Sequence, residues 1–199
     1  MPVTISGNGI VTGLAVGGLP DGVVDADMIA NNAVTTNKIL NSNVTAGKLA
    51  STAVTNTPAF EVYMSANLTG MGNDADVKLP FNTEYFDTDN AWDTSNYKFT
   101  VPAGKGGKYF IGANAYNATG SGFNYTRLQI WKNGSTFGYN YASSGVTSHS
   151  LSNNINRIIT LADGDYIEFY NAQSNGGQIT YTSNNTHRTV GYGWRLIGI

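Results

Sequence analysis

The sequence predicts a mainly β protein, in which an antiparallel β-sandwich follows an extended segment of short helical turns. Two observations carry this prediction. From Pro58 onward, aromatic and β-branched runs alternate with turns of Gly, Asn and Asp, at the spacing typical of a sandwich. Before Pro58, apolar residues recur every ten residues, which fits neither a heptad nor a strand. We therefore divide the chain into an N-terminal segment over residues 1–20, a repeat segment over 21–57 and a head over 58–199.

The head contains nine clear strand patterns. Asn133-Gly134, the strongest short hairpin signal in the chain, separates two of them. Pro102-Ala103-Gly104 and Asp163-Gly164 mark further turns, and no long amphipathic helix pattern interrupts the series. The predicted strands are Ala59–Ala66, Val77–Phe81, Tyr97–Val101, Lys108–Tyr116, Tyr125–Lys132, Thr136–Ala142, Ile155–Leu161, Asp165–Ala172 and Tyr192–Ile199.

The repeat segment has a local physical explanation. In the unit around Thr35, this residue is the expected helix N-cap, whose side-chain oxygen accepts from a free backbone N–H. Val34 and Ile39 then occupy the two positions of a hydrophobic staple. Each unit is therefore predicted to be one helical turn followed by an extended link. Valine recurs every ten residues with a larger aliphatic residue midway, at Val24, Ile29, Val34, Ile39, Val44, Leu49 and Val54.

One helical turn is too short to be stable alone, so the repeat must bury its apolar side chains against other chains. We expect three chains to wind together into a stalk. The alternative is a disordered linker whose periodicity is accidental. Residues 1–20 are Gly-rich and apolar, and they either dock on a particle or another subunit or fray as a terminus. The predicted contacts between stalk chains are Val24, Ile29, Val34, Ile39, Val44 and Leu49.

Composition argues against several classes of protein. Charged residues make up 12% of the chain and the net charge is −2, so no basic surface is expected to hold nucleic acid or anionic lipid. Without Cys, disulfides and thiolate metal sites are excluded. No apolar run approaches the roughly 20 residues of a membrane helix, and the N-terminal residues lack the pattern of a secretory signal. Such a polar, weakly charged surface suits an exposed component of a particle.

Four motifs follow one another in the head. They are YKFTVPAGKGGKYF at 97–110, LQIWKNG at 128–134, LADGDYI at 161–167 and GWRLI at 193–197. In this order they resemble the motif series of the C1q/tumour-necrosis-factor-like jelly-roll family. Two departures concern the subfamily more than the fold: Lys105-Gly106 lengthens the first turn, and Gly193-Trp194 stands where the family has a Ser-Gly pair.

This resemblance implies a ten-stranded antiparallel β-sandwich whose heads form tight threefold trimers through aromatic sheet faces. A homotrimer is therefore expected from the head as well as from the repeats. The repeat combined with such a head resembles phage fibre proteins, notably those of marine and cyanobacterial phages. No cofactor is expected, although heads of this family sometimes carry calcium near the trimer apex. Asp87 and Asp89 are the weak calcium candidates, since they place oxygen at alternate positions.

The longer loops are the predicted binding surface. With the chain entering at the base of the head, counting strands alternately puts loops such as 67–76, 87–96 and 174–187 at the apex. Their Gly, Ser, Asn, Thr and Tyr content resembles that of antibody paratopes. An aromatic ring can stack on a sugar, and Asn can donate to and accept from hydroxyls; the alternative for each ring is packing in the core or between subunits. The candidate receptor-binding residues are Trp92, Phe123, Asn124, Tyr181 and His187.

Catalysis is not expected. His149 and His187 lie far apart in sequence, and no Gly-x-Ser-x-Gly motif is present. We therefore expect a non-enzymatic fibre protein on the surface of an extracellular phage particle. Its N-terminus would attach to another virion protein, and its apex loops would contact a glycan or protein of the host surface. The alternatives are a capsid or tail decoration protein without a ligand, and a secreted cellular protein with a C1q-like domain.

Overall fold

The chain divides into two units, Met1–Ala53 and Val54–Ile199. The computed structural model describes residues 29–31, 33–40, 43–49, 55–118, 124–143, 150–174, 178–180 and 188–197. The predicted N-terminal anchoring segment, residues 1–20, lies outside these described residues, and its role stays a prediction. In the described part of the chain, no helix is long and apolar enough to cross a membrane.

The first unit contains a one-turn 3-10 helix at Thr36–Lys38, where the sequence predicts a helical turn. The N–H of Lys38 donates to the carbonyl oxygen of Thr35 over 2.9 Å and closes the turn. The carbonyl of an N-cap residue accepts the first hydrogen bond of the helix in this way, and capping by the Thr35 side chain stays a prediction. Lys38 Nζ also donates to the carbonyl oxygen of Ala33 over 2.6 Å, so the lysine side chain folds back over the start of its own unit.

A second 3-10 turn, Ala46–Lys48, repeats these contacts ten residues later. The N–H of Lys48 donates to the carbonyl oxygen of Thr45 over 2.9 Å, and Lys48 Nζ donates to that of Asn43 over 2.8 Å. The sequence period is therefore also a structural period. Within the single chain, the apolar side chains of these units are 40% to 72% exposed; they are Ile29, Val34, Ile39, Leu40, Val44 and Leu49. Val24 lies outside the described residues.

The described residues of the second unit form thirteen strands, several of them only two to four residues long. In chain order they are β1 (Ala59–Tyr63), β2 (Leu68–Met71), β3 (Val77–Lys78), β4 (Thr83–Asp87), β5 (Trp92–Asp93), β6 (Lys98–Thr100), β7 (Gly107–Ala118), β8 (Tyr125–Lys132), β9 (Ser135–Ser143), β10 (Leu151–Leu161), β11 (Tyr166–Gln173), β12 (Gln178–Thr180) and β13 (Val190–Arg195).

These strands form two antiparallel sheets. The first has the order β2-β12-β7-β13-β1-β4, with β10 also paired to β7. The second has the order β5-β6-β11-β8-β9, with β3 also paired to β11. The predicted mainly β, antiparallel sandwich is thus confirmed. The expected count of ten strands differs from the thirteen observed among the described residues, because the sheets include short strands such as β2, β5 and β12.

The core between the sheets is mostly aromatic. In β1 every second residue is buried, as the sandwich pattern requires. Gly193 of β13 makes room for these rings, since a Cβ atom there would lie 2.6 Å from Ile111 Cδ1 and 2.9 Å from Phe60 Cε1. Neighbouring ring centroids lie 4.7 to 6.3 Å apart among Phe60, Phe81, Trp92, Phe99 and Phe169.

Two turns hold the base of the head, the end where β1 begins. Asp163 accepts hydrogen bonds from the N–H groups of Gly104 and Gly106, each over 2.7 Å, and these bonds lower the pKa of its carboxyl group. Arg195 Nη2 donates to the carbonyl oxygen of Gly106 over 3.0 Å. The lengthened turn that contains Lys105-Gly106 is therefore fixed by a second turn and by the last strand.

At the opposite end, the apex, the interior becomes polar. Asn117, Thr126, Asn153 and Asn171 are buried where β7 ends and β8 begins. Asn171 Nδ2 donates to Asn117 Oδ1 over 2.7 Å, and Asn153 Nδ2 donates to the carbonyl oxygen of Thr126 over 3.2 Å. Buried amides that bond to one another avoid the cost of unpaired polar groups. A layer of buried polar residues thus closes the apolar core at the apex end.

Candidate interaction surfaces

Aromatic rings cluster on the outer face of the first sheet, which points away from the core. Phe110 of β7 and Trp194 of β13 are register partners, and their stacked ring centroids lie 4.6 Å apart. The Tyr192 ring lies 6.4 Å from Phe110 and 6.5 Å from Trp194. All three residues are only partly buried in the single chain. Burial, with a smaller contribution from Glu61, raises the pKa of Tyr192.

A glycine allows the Tyr192 ring to lie flat across β7. A Cβ atom at Gly112 would lie 2.6 Å from that ring and 2.2 Å from Asn156 Oδ1. The Tyr192 hydroxyl donates to the same Oδ1 over 2.7 Å. Two residues along β10, Ile158 is 62% exposed. We name the whole surface the aromatic face; it comprises Tyr63, Tyr85, Phe86, Phe110, Ile158, Tyr192 and Trp194.

The aromatic face continues onto β1 and β4 and is a candidate interaction surface. The rings of Tyr63 and Tyr85 stack with centroids 4.3 Å apart. Contiguous exposed apolar area of this kind is typical of surfaces that contact another molecule. None of these side chains is among the candidate site residues predicted from the sequence. A signal for one was present, because Tyr109 and Phe110 are adjacent in a strand and must point to opposite faces; Tyr109 is buried and Phe110 points outward.

Trp92, the first predicted receptor-binding residue, lies in the core. Its side chain is 4% exposed, and its ring centroid lies 5.2 Å from that of Phe60 and 6.2 Å from that of Phe169. Its Nε1 donates to the carbonyl oxygen of Phe81 over 2.8 Å. Stacking on a sugar requires an open ring face, so the prediction that Trp92 presents its ring to a ligand is wrong. The alternative, packing in the core, is what the structure shows.

The segment 87–96 begins at the base of the head and not at the predicted apex. Strand β4 runs antiparallel to β1 and therefore ends beside Ala59. The N–H of Thr88 donates to the carbonyl oxygen of Ala59 over 3.0 Å, and Asp89 lies 3.6 Å from Lys105 in the base turn. The alternate count of strands placed the segment 87–96 at the apex, but β3 and β4 run in the same direction, from apex to base, so the loop that follows them begins at the base.

Asn124 is the one other predicted receptor-binding residue among those described. It is exposed at the apex end of the second sheet, and its N–H donates to Ser174 Oγ over 2.7 Å. Phe123, Tyr181 and His187 lie outside the described residues. Receptor binding by these four residues stays a prediction.

The two calcium candidates bond to groups of the protein. Asp87 Oδ2 accepts from the N–H of Trp92 over 2.7 Å, and Asp89 Oδ2 accepts from the Thr88 hydroxyl over 2.7 Å. Among the described residues, no group of three or more His, Cys, Asp or Glu side chains is placed to hold a metal ion. The carboxylates of Asp87 and Asp89 thus stabilise a turn, and calcium binding there stays a prediction.

The largest pKa shifts among the described tyrosines and carboxylates have structural causes. Burial raises the pKa of Tyr109 to about 12, and its hydroxyl donates to the carbonyl oxygen of Lys105 over 2.6 Å. Hydrogen bonds from Lys132 and Asn133 lower the pKa of Asp165 to about 2. Both groups lie at the base of the head, where they join turns and strands.

Comparison with known proteins identifies the fold of the head. A scan of protein-family models finds no match to the sequence, and a search of curated proteins finds none either. Among solved structures, the globular domain of zebrafish complement 1qA protein is similar with a TM-score of 0.50 and 17% identity, over 70% of this chain and 98% of that one. Eiger TNF from S. frugiperda is similar with a TM-score of 0.52 and 12% identity, over 71% and 93% of the two chains.

A third similar structure is murine APRIL at pH 5.0, with a TM-score of 0.53 and 11% identity over 69% of this chain and 98% of that one. At such low identity these similarities concern the fold alone. The head therefore has the jelly-roll fold of C1q and TNF-family domains, and the resemblance noted in its sequence motifs is confirmed at that level.

Proposed function

We propose that the protein is a non-enzymatic, homotrimeric fibre protein of a phage particle. In this proposal, residues 1–20 attach the fibre to another virion protein and the repeat segment spaces the head outward. The apex loops of the head then contact a glycan or a protein on the host surface. The observation that carries the proposal is the aromatic face, an apolar surface on the outside of a folded head.

The aromatic face favours association of identical chains. The stacked rings of Phe110 and Trp194, together with the exposed Ile158, offer apolar area whose burial stabilises a complex by about 25 cal/mol per Å². In a closed ring of identical chains, each copy can cover this surface with a different surface of its neighbour, so that no copy leaves it exposed. Three copies is the number implied by the resemblance to C1q/TNF-like heads.

The repeat segment supports the same assembly from independent residues. Its aliphatic side chains are exposed in the single chain, including Val34 at 54% and Val44 at 47%. Isolated one-turn helices gain too little from their own hydrogen bonds to persist. Chains that wind together would bury these valines in a continuous seam, with one layer for every ten residues.

A trimer would also suit attachment to a host. Three equal apex sites allow weak single contacts to add, so that the particle binds more tightly than any one site. The phage source is supported by the combination of a repeat with a C1q-like head and by the small share of charged residues. Absence of catalysis is supported by the similarity of the head to C1q and TNF-family domains.

Binding of the fluorescently labelled full chain to host cells tests the proposal. We expect the chain to bind host cells, and an antibody against it to label the particle surface in electron microscopy. Incubation with host polysaccharide should leave the polysaccharide at its original length. Labelled particles without cell binding would instead indicate a decoration protein. Unlabelled particles would refute the proposed location and favour a secreted cellular protein.

A further inference from the structure

A depression on the outer face of the second sheet is available for a ligand. It has a volume of about 360 Å³ and is lined by Asp76, Arg127, Gln129, Thr136, Tyr139 and Tyr141. This volume is near the lower end of the roughly 300–1,000 Å³ typical of small-molecule sites. We propose that the depression binds a terminal sugar of a neutral glycan. The site goes beyond the proposed function, because it lies on the side of the head and does not depend on the apex loops.

Two tyrosine rings form the apolar part of this site. Tyr139 and Tyr141 are 53% and 49% exposed, and their ring centroids lie 5.4 Å apart with an interplanar angle of 76°. Tyr125 packs edge-on against Tyr141, with centroids 5.3 Å apart, and so holds that ring in position. An exposed, fixed aromatic ring can cover the C–H face of a sugar and loses little conformational entropy on binding.

A fixed carboxylate supplies the polar part. Asp76 Oδ1 accepts from Arg127 Nη2 over 2.7 Å and from Gln129 Nε2, and Gln129 is 98% buried beneath it. Among the described residues, no hydrogen bond reaches Asp76 Oδ2. Arg127 Nη1 donates to the Tyr141 hydroxyl oxygen over 3.0 Å, which leaves the hydroxyl proton of Tyr141 for a ligand. Adjacent sugar hydroxyls can therefore donate to Asp76 Oδ2 and accept from Tyr141.

The charges favour a neutral ligand. Arg127 lies 2.7 Å from Asp76 and 3.5 Å from Asp74, so its charge is already balanced by two carboxylates. An anionic sugar would be repelled by the excess negative charge, whereas neutral hydroxyls match fixed acceptors and donors. The depression and the aromatic face lie on different sheets, so the residues that form the depression are separate from those of the aromatic face.

The test measures binding of the full chain to immobilised neutral oligosaccharides with terminal glucose, galactose, mannose or fucose, beside sialylated and sulfated ones. Wild type should bind at least one neutral member. Tyr141→Ala and Asp76→Asn should each weaken that binding by about ten-fold or more, as expected for central contacts of a site. Phe137→Ala is the matched control, because Phe137 is 47% exposed on the same strand but does not line the depression.

Absence of binding to any neutral member would overturn the proposal, as would a preference for anionic glycans. Binding that survives both Tyr141→Ala and Asp76→Asn would also overturn it. Thermal unfolding of each variant checks that the fold is kept, and Tyr139→Ala replaces any variant that unfolds. Host-cell binding measured in parallel separates the two proposals. A chain that does not bind host cells can still bind the neutral glycan, and a chain that binds host cells can fail to bind the glycan.

Discussion

Replacement of Ile158 by Asp tests whether the aromatic face joins the chains. Full burial of an Ile side chain contributes about 1.5–3 kcal/mol. Since 62% of the Ile158 side chain is exposed in the single chain, association would bury this exposed part and stabilise the assembly by about 1–2 kcal/mol per chain. Three chains together would lose about 3–6 kcal/mol, and an unpaired carboxylate in the interface adds several kcal/mol more. The association constant should fall at least ~100-fold.

Light scattering and sedimentation of Ile158→Asp at micromolar concentration measure this effect. We expect a lower molecular mass than that of wild type. The circular dichroism spectrum should remain that of a β protein, because the core neighbour Ile159 is unchanged and is 1% exposed. Phe137→Asp is the matched control: it adds the same charge at an exposed apolar residue on β9 of the other sheet. An Ile158→Asp protein with the mass and dissociation behaviour of wild type would refute the role of the aromatic face.

Three further predictions concern the core, the base turn and the repeats. Trp92→Ala should lower the free energy of unfolding in urea by about 3–5 kcal/mol. Trp92→Phe should lower it by about 1–3 kcal/mol, because the Phe81 carbonyl loses its hydrogen-bond donor. A loss below about 0.5 kcal/mol for Trp92→Ala would place the ring at the surface. Because the pKa of Asp165 is lowered in the folded head, its carboxylate contributes to stability above the pKa of the unfolded chain, and this contribution is lost as pH falls towards about 2. Asp165→Asn should therefore destabilise the head at pH 7 and have almost no effect on stability near pH 2. An equal loss of stability at both pH values would contradict this reasoning. Val34→Ser with Val44→Ser should lower the temperature at which chains separate while the head unfolds as before, and no change in separation would argue against winding of the repeats.

Sequence patterns located the regular strands and tight turns well. The strand β8 runs from Tyr125 to Lys132, as predicted. The hairpin that follows it uses Asn133 and Gly134 with φ angles of 51° and 75°, the left-handed conformation that this dipeptide favours. In such regions local preference and alternating burial agree, so the sequence alone is sufficient.

The strand β4 shows why other elements were missed. Thr83–Asp87 pairs with β1 across a register shift between Glu61 and Val62, and its burial does not alternate. A β-bulge removes the period-two signal that identifies a strand from sequence. The strands β3 and β4 also run in the same direction, which an alternate count of strands does not allow, so that count assigned the segment 87–96 and Trp92 to the wrong end of the head.

Trp92 itself illustrates a limit of local patterns. Most residues near it in the sequence, including Asn90 and Asp93, are polar, as expected for a loop at the surface. Its burial arises from rings distant along the chain, including Phe60 and Phe169, which only the folded sheets bring together. The depression around Asp76 and Arg127 likewise joins residues 51 positions apart, and no spacing in the sequence indicates it.

The mass of the full chain in solution tests the central claim most directly. Multi-angle light scattering at micromolar concentration should give about 64 kDa, three times the 21.2 kDa of one chain. A folded species of 21.2 kDa at that concentration would contradict the account, because the exposed side chains of the repeats and of the aromatic face would then be stable in water without a partner.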